Sequence, residues 1–190
     1  EADQMADMGF LPQVERILGR IDGHAQTLLF SATLDGAIGA LVRKYQQDPV
    51  RHEVLSDDST VETLEQRFIG VEPDEKVATA AAICEGSGRT IVFVRTKHGA
   101  DRLAFQLSRR GIGAAPIHGD LNQNRRERTL KAFASGHSPV LVATNVAARG
   151  IHVDNVELVL HYDIPEDTKT YLHRSGRTAR AGASGLVVTL

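Results

Sequence analysis

The densest chemical signal in the 190-residue chain is Tyr171-Leu172-His173-Arg174-Ser175-Gly176-Arg177-Thr178-Ala179-Arg180-Ala181-Gly182, where three arginines recur at spacing three and no acid interrupts twelve residues. Repulsion among guanidinium groups crowded into one turn-rich segment is relieved by an anion. Arginine offers a planar fork of donors that cannot lose its charge, which suits a phosphoryl group in transfer. Arginines paired with acids elsewhere in the fold would satisfy the same pattern, and the residues alone leave both readings open. A second constellation is spread along the chain: Arg95-Thr96-Lys97, His118-Gly119-Asp120 and Thr144-Asn145 each follow directly on an apolar run. If those runs are strands of an open α/β sheet, the polar residues fall at the carboxyl ends, where such sheets bind ligands. Helix N-termini with a hydroxyl or cation nearby would there suit the phosphates of a phosphodiester backbone. Charge points the same way, because residues 89–131 hold 10 basic and 3 acidic side chains in a chain of net charge −2. A local basic excess of this kind can be the footprint of a polyanion.

These positions need a scaffold, and the apolar periodicity supplies one. Phe10, Val14, Ile17, Leu18 and Ile21 share one helical face over residues 9–22, Thr27–Phe30 reads as a short buried strand, and Leu34, Ile38, Leu41, Val42 and Tyr45 align on a helix with Thr33 as N-cap. Periodicity then fails through the polar Ser56-Asp57-Asp58-Ser59-Thr60, which places a linker at 51–61. Beyond it, strands are expected at 67–71, 90–94, 114–117, 140–143, 156–160 and 185–190. Helices are expected at 74–85, around Ala100–Leu107, at 122–135 with Asn122 as cap and Gly136 as stop, and at 167–174. Alternation of this kind defines an α/β fold: a mainly parallel sheet with helices on both faces.

Several classes are excluded. The apolar runs fall short of the ~20 residues of a membrane helix, so no membrane partner is expected. Cys84, the one cysteine, cannot form an internal disulfide, and no basic-then-apolar signal opens the chain, so a cytoplasmic location is expected. The eight histidines lack zinc spacing, and no metal site is expected. A phosphate loop, G-x-x-x-x-G-K-S/T, needs a Gly-Lys pair, and no lysine here follows a glycine. No G-x-S-x-G elbow is present, which disfavours a serine hydrolase.

In their order and spacing the motifs resemble those of the DEAD-box ATP-dependent RNA helicases of superfamily 2. Glu1-Ala2-Asp3 with Met8-Gly9-Phe10 resembles the end of the D-E-A-D box and its extension, and Ser31-Ala32-Thr33 the S-A-T motif. Residues 91–96 resemble motif IV, and His118-Gly119-Asp120 with Gln123-x-x-Arg126 the adjoining elements. Residues 143–150 resemble motif V and residues 173–180 motif VI. The resemblance implies that residues 1–50 are a remnant of a first RecA-like domain, 51–61 a linker, and 62–190 a second RecA-like domain, the helicase C-terminal domain. It implies Glu1, Arg177 and Arg180 in catalysis, with Arg177, Arg180 and His152 near the nucleotide. Asp3, Ser31, Thr33 and His173 would couple the domains, and Thr96, Gly119, Arg126, Thr144, Arg149 and Gly150 would lie on RNA. ATP and Mg2+ are the implied cofactors, both requiring a first-domain segment that carries the phosphate loop, and RNA is the implied partner. The chain alone is then expected to be inactive in ATP hydrolysis. Three residues depart from the usual pattern: Asn145 and His152 stand where the family usually has Asp, and Ala179 where it has Gly. A non-catalytic RNA-binding or protein-docking module is the alternative class, and a DNA helicase of the same superfamily a third reading.

Overall fold

The computed structural model describes residues 1–21, 25–32, 34, 36–53, 64–148, 153, 155–179 and 183–190. Contacts divide the chain into two units, Glu1–Leu55 and Ser56–Leu190.

Among its described residues the first unit has three helices, α1 (Ala2–Asp7), α2 (Leu11–Leu18) and α3 (Gly36–Tyr45). The helix expected over 9–22 is confined to Leu11–Leu18, and a separate short helix, α1, precedes it. Gly9 takes φ +75, Gly9 N donates to Ala6 O and Phe10 N to Met5 O, which closes α1 before Pro12 opens α2. Ile38 and Leu41 of α3 are buried, and Lys44 Nζ and Tyr45 Oη reach Glu15 to join α3 to α2. The apolar stripe expected over 9–22 is only partly covered: Val14 and Leu18 are half-buried, while Phe10, Ile17 and Ile21 remain exposed. The buried strand expected at Thr27–Phe30 is a correction. The segment has no strand neighbour among the described residues, and Leu28 and Phe30 are 70% and 77% exposed. An apolar run becomes a strand only when a partner completes its ladder.

The second unit is built on a six-stranded, all-parallel sheet in the order β1-β6-β5-β2-β4-β3. Its strands are β1 (Leu64–Phe68), β2 (Thr90–Phe93), β3 (Ala114–Ile117), β4 (Val140–Ala143), β5 (Leu158–His161) and β6 (Gly185–Thr189). Side chains alternate between two cores. Val92, Val94, Val140, Val142, Leu158 and Leu160 pack against α4 (Lys76–Glu85) and α5 (Lys97–Ser108) on one face. Ile91, Phe93, Leu141, Ala143 and Val159 pack with Phe133 of α6 (Gln123–Ala134), Ala147 and Ala148 of α7 (Asn145–Ala148) and Tyr171 of α8 (Thr168–Ser175) on the other. A sheet covered on both faces explains why β2, β4 and β5 are buried at every residue and read as continuous apolar runs. Pro116 sits in β3, an edge strand, where its missing N–H costs no ladder bond. Two strands are displaced from expectation, β1 from 67–71 and β5 from 156–160. Pairing with β6, Leu64 opposite Gly185, sets the bounds of β1 in a polar edge segment that carries little apolar signal. Among the described residues no helix is long and apolar enough to cross a membrane.

Candidate functional site

Strands β2, β4 and β3 are consecutive and parallel in the sheet, so their carboxyl ends lie side by side. This brings Arg95-Thr96-Lys97, Thr144-Asn145 and His118-Gly119-Asp120 onto one edge, as the sequence suggests. Thr96 is the N-cap of α5: its hydroxyl accepts from Gly99 N at 3.0 Å, which leaves the hydroxyl hydrogen to donate outward from an exposed position. Thr144 N donates to Ile117 O at 3.3 Å and fixes the start of α7 against the end of β3. Gly119 is exposed, and a methyl group added there would meet no atom within 4 Å. Neither crowding nor a positive φ in the fold therefore requires glycine at this position.

The acids of this edge have local partners. Lys97 Nζ contacts Asp120 Oδ2, and this bond holds the Asp120 carboxyl below the usual carboxylate range. Buried His118 meets Asp101 Oδ1 through Nε2 at 3.1 Å. Asp163 accepts from Arg95 N at 2.7 Å and stands 3.9 Å from Lys76 Nζ. Arg126, half-buried on α6, donates from Nη2 to Ala147 O at 2.8 Å, which carries its guanidinium to the end of α7 and toward this edge.

The three arginines at spacing three do not share a fate. Arg174 is 5% exposed: its Nε donates to Asn145 Oδ1 at 2.6 Å, its Nη1 to Asp163 O at 2.8 Å, and its guanidinium lies over the Phe93 ring. Burial pushes its pKa down to about 10, with Asp163 opposing that shift. The charge of Arg174 is therefore satisfied inside the fold, the second of the two readings that the spacing left open. Arg177 is half-buried, its Nε donating to His173 O at 3.3 Å across one turn of α8, and His173 is likewise half-buried. Ala179 holds φ 53, the left-handed backbone that its place in a pattern usually occupied by glycine implies. In the first unit, Asp3 is buried and its N donates to Ser31 Oγ at 3.0 Å, while Glu1 is exposed and its amino group donates to Phe30 O. Asp3 and Ser31 are thus brought together. Thr33, Arg149, Gly150, His152 and Arg180 lie outside the described residues.

The sequence reading missed the partners that seat the site. Arg174, Asn145, Asp163 and Phe93 tie α8 to the ends of β4, β5 and β2. The signal for this was the polar Asn145 directly after β4, and spacing alone could not direct Arg174 inward. His161, fully buried and with no partner for Nε2 among the described residues, is edge-on to both Phe93 and Tyr171, and Tyr171 stacks on Phe68.

A doubly covered parallel sheet with a cationic, hydroxyl-bearing carboxyl edge and an arginine helix end defines the class of RecA-like domains. The pattern described as "Helicase conserved C-terminal domain" matches residues 75–182, and that of "DEAD/DEAH box helicase" residues 1–40. The chain belongs to the DEAD-box helicase family. It is 44% identical over 193 residues to the ATP-dependent rRNA helicase RRP3 of Gibberella zeae, covering 100% of this chain and 40% of the relative. The DEAD-box ATP-dependent RNA helicase CshA of Bacillus subtilis is 40% identical over 191 residues, with 100% and 39% covered. The structure of S. cerevisiae Dbp5 bound to RNA and ADP BeF3 superposes with TM-score 0.83 at 31% identity, covering 100% of this chain and 51% of that one. The chain thus spans well under two thirds of the length of these relatives.

Proposed function

We propose that this chain is part of an ATP-dependent RNA helicase that couples ATP hydrolysis to unwinding or remodelling of RNA. In this reading residues 1–50 close a first RecA-like domain, 51–61 link, and 62–190 form the second. The observation that carries it is the carboxyl edge of β2, β4 and β3, where three adjacent strand ends offer Thr96, Gly119 and Thr144 with Arg126 at the border. Hydroxyls, helix N-termini and an unhindered glycine suit the sugar-phosphate backbone of RNA and ignore the bases. Relatives named as RNA helicases and a similar structure bound to RNA support the assignment.

Among the described residues, the cationic and partly exposed Arg177 fits the terminal phosphate of ATP, which supplies the phosphoryl group for hydrolysis when bound. No group of three or more metal-ligating side chains occurs among the described residues; Mg2+ would be held by one or two carboxylates together with the phosphates of ATP. Arg177 and Arg180 stabilise charge on the phosphate, Glu1 orients the attacking water, and His152 stands where the ribose would be contacted. Asp3, Ser31, Thr33 and His173 link the two domains, and Arg149 and Gly150 extend the RNA edge. A cytoplasmic setting belongs to the same reading.

The test is ATP hydrolysis and duplex separation by the full-length protein, beside the 190-residue chain alone. RNA-stimulated hydrolysis and preferential separation of RNA over DNA duplexes are expected from the former, and no turnover from the latter. A full-length protein that binds RNA but never hydrolyses ATP would instead identify a binding module.

A further inference from the structure

The outer face of α5 carries a feature that the edge does not account for. Ala100, Leu103, Ala104 and Leu107 bury one side of this helix, and the opposite side presents His98, Arg102, Phe105 and Arg109, all exposed. At 100° per residue these four fall within a narrow arc, a single stripe about 17 Å long. Phe105 is 63% exposed in the middle of it, with the Arg109 guanidinium 6.0 Å from its ring centroid. No acid pairs with Arg102 or Arg109 among the described ion pairs, and Asp101, the acid nearest in sequence, is engaged by His118. The stripe begins two residues after Thr96, so its N-terminal end adjoins the carboxyl edge of the sheet.

We propose that this stripe is a second nucleic-acid contact, a stacking platform for single-stranded RNA that leaves the carboxyl edge and runs down the outside of α5. A flat aromatic ring flanked by guanidinium groups that have no acid partner among the described residues matches an unstacked base between two phosphates, and such stacking tolerates any base. Charge complementarity selects a polyanion over an apolar protein segment, because only one of the four residues is apolar. The proposal rests on the reading of the edge as an RNA site.

The experiment measures binding of fluorescein-labelled oligouridylate to the full 190-residue chain, with a short probe of about 6 nucleotides and a long one of about 20. Phe105→Ala is expected to weaken the long probe about 5- to 30-fold and leave the short one unchanged. Arg102→Gln with Arg109→Gln should reduce the salt slope of the long probe by about 1.4, or ~0.7 per phosphate released. Phe105 and both arginines are exposed, so far-ultraviolet circular dichroism should be unchanged in the variants. Equal effects on both lengths, or none on either, would overturn the proposal. So would loss of a dimer in sedimentation with RNA affinity intact, which would assign the stripe to a second copy of the chain. Arg126→Gln separates the two readings. If it leaves both probes unaffected while Phe105→Ala still weakens the long one, the edge fails and the stripe stands; if the wild type binds neither probe, both fail.

Discussion

Ala179 holds a left-handed backbone that costs an L-residue about 1–2 kcal/mol, against which glycine gives back part through the greater freedom of its unfolded chain. Ala179→Gly is therefore expected to raise the stability of the second unit by on the order of 0.5 kcal/mol, read as a higher urea midpoint at unchanged slope. A lower midpoint would mean that the buried methyl group contributes more than the strain. Asn145 presents the reverse case, a side chain on which a buried cation depends. Its amide oxygen is the acceptor for Arg174 Nε, and Asn145→Ala should lower stability by about 1.5–3 kcal/mol, while Asn145→Asp should retain or exceed the wild-type value. Urea unfolding of the three proteins checks this. At this scale the sequence was informative where chemistry is local, as at Ala179, where the departure from the usual glycine marked the position that holds a left-handed backbone. It was silent at Arg174, because a spacing of three does not say which guanidinium turns inward; that depends on Asn145, Asp163 and Phe93, which arrive from three other segments.

Helices with caps and doubly buried strands were legible for a related reason, since their determinants lie within a few residues. Asn122 accepts from Arg125 N at 2.9 Å, and Gly136 leaves α6 at φ +75, both as their residue types imply. Strand ends were less legible because a ladder partner defines them. β5 starts two residues later than expected and ends on His161, a polar residue that periodicity did not admit. Its burial has a pH consequence. Desolvation, reinforced by the Arg174 charge, pushes the imidazole pKa from 6.5 down to about 4, so between those values the unfolded chain binds a proton that the folded chain does not. Stability is accordingly full above about pH 6.5 and falls as pH drops toward 4, by on the order of 2 kcal/mol between pH 7 and pH 4.5. Urea midpoints at the two pH values should show this loss, and His161→Asn should reduce it. An undiminished loss in the variant would place the sensitivity on other groups.

Across the whole molecule, phosphate chemistry is divided between two places in the second unit. Donors at the ends of β2, β3 and β4 line one edge, while Arg177 stands at the end of α8 with Arg174 holding that helix to the strand ends. This division follows from parallel topology, which gathers residues far apart in sequence onto one edge. It also explains why separate motifs announced the site before any of the packing was legible. If the edge grips RNA and the helix end serves the nucleotide, the two functions separate by mutation. The most direct measurement is RNA-stimulated ATP hydrolysis and RNA affinity, in parallel, for Arg177→Ala and Arg126→Ala in the full-length protein. Arg177→Ala should cut turnover by about 10³-fold or more with RNA affinity nearly unchanged, as for an arginine acting on a transferring phosphoryl group, whereas Arg126→Ala should weaken RNA binding and its salt dependence. Equal losses of turnover and RNA affinity in both variants would contradict the account.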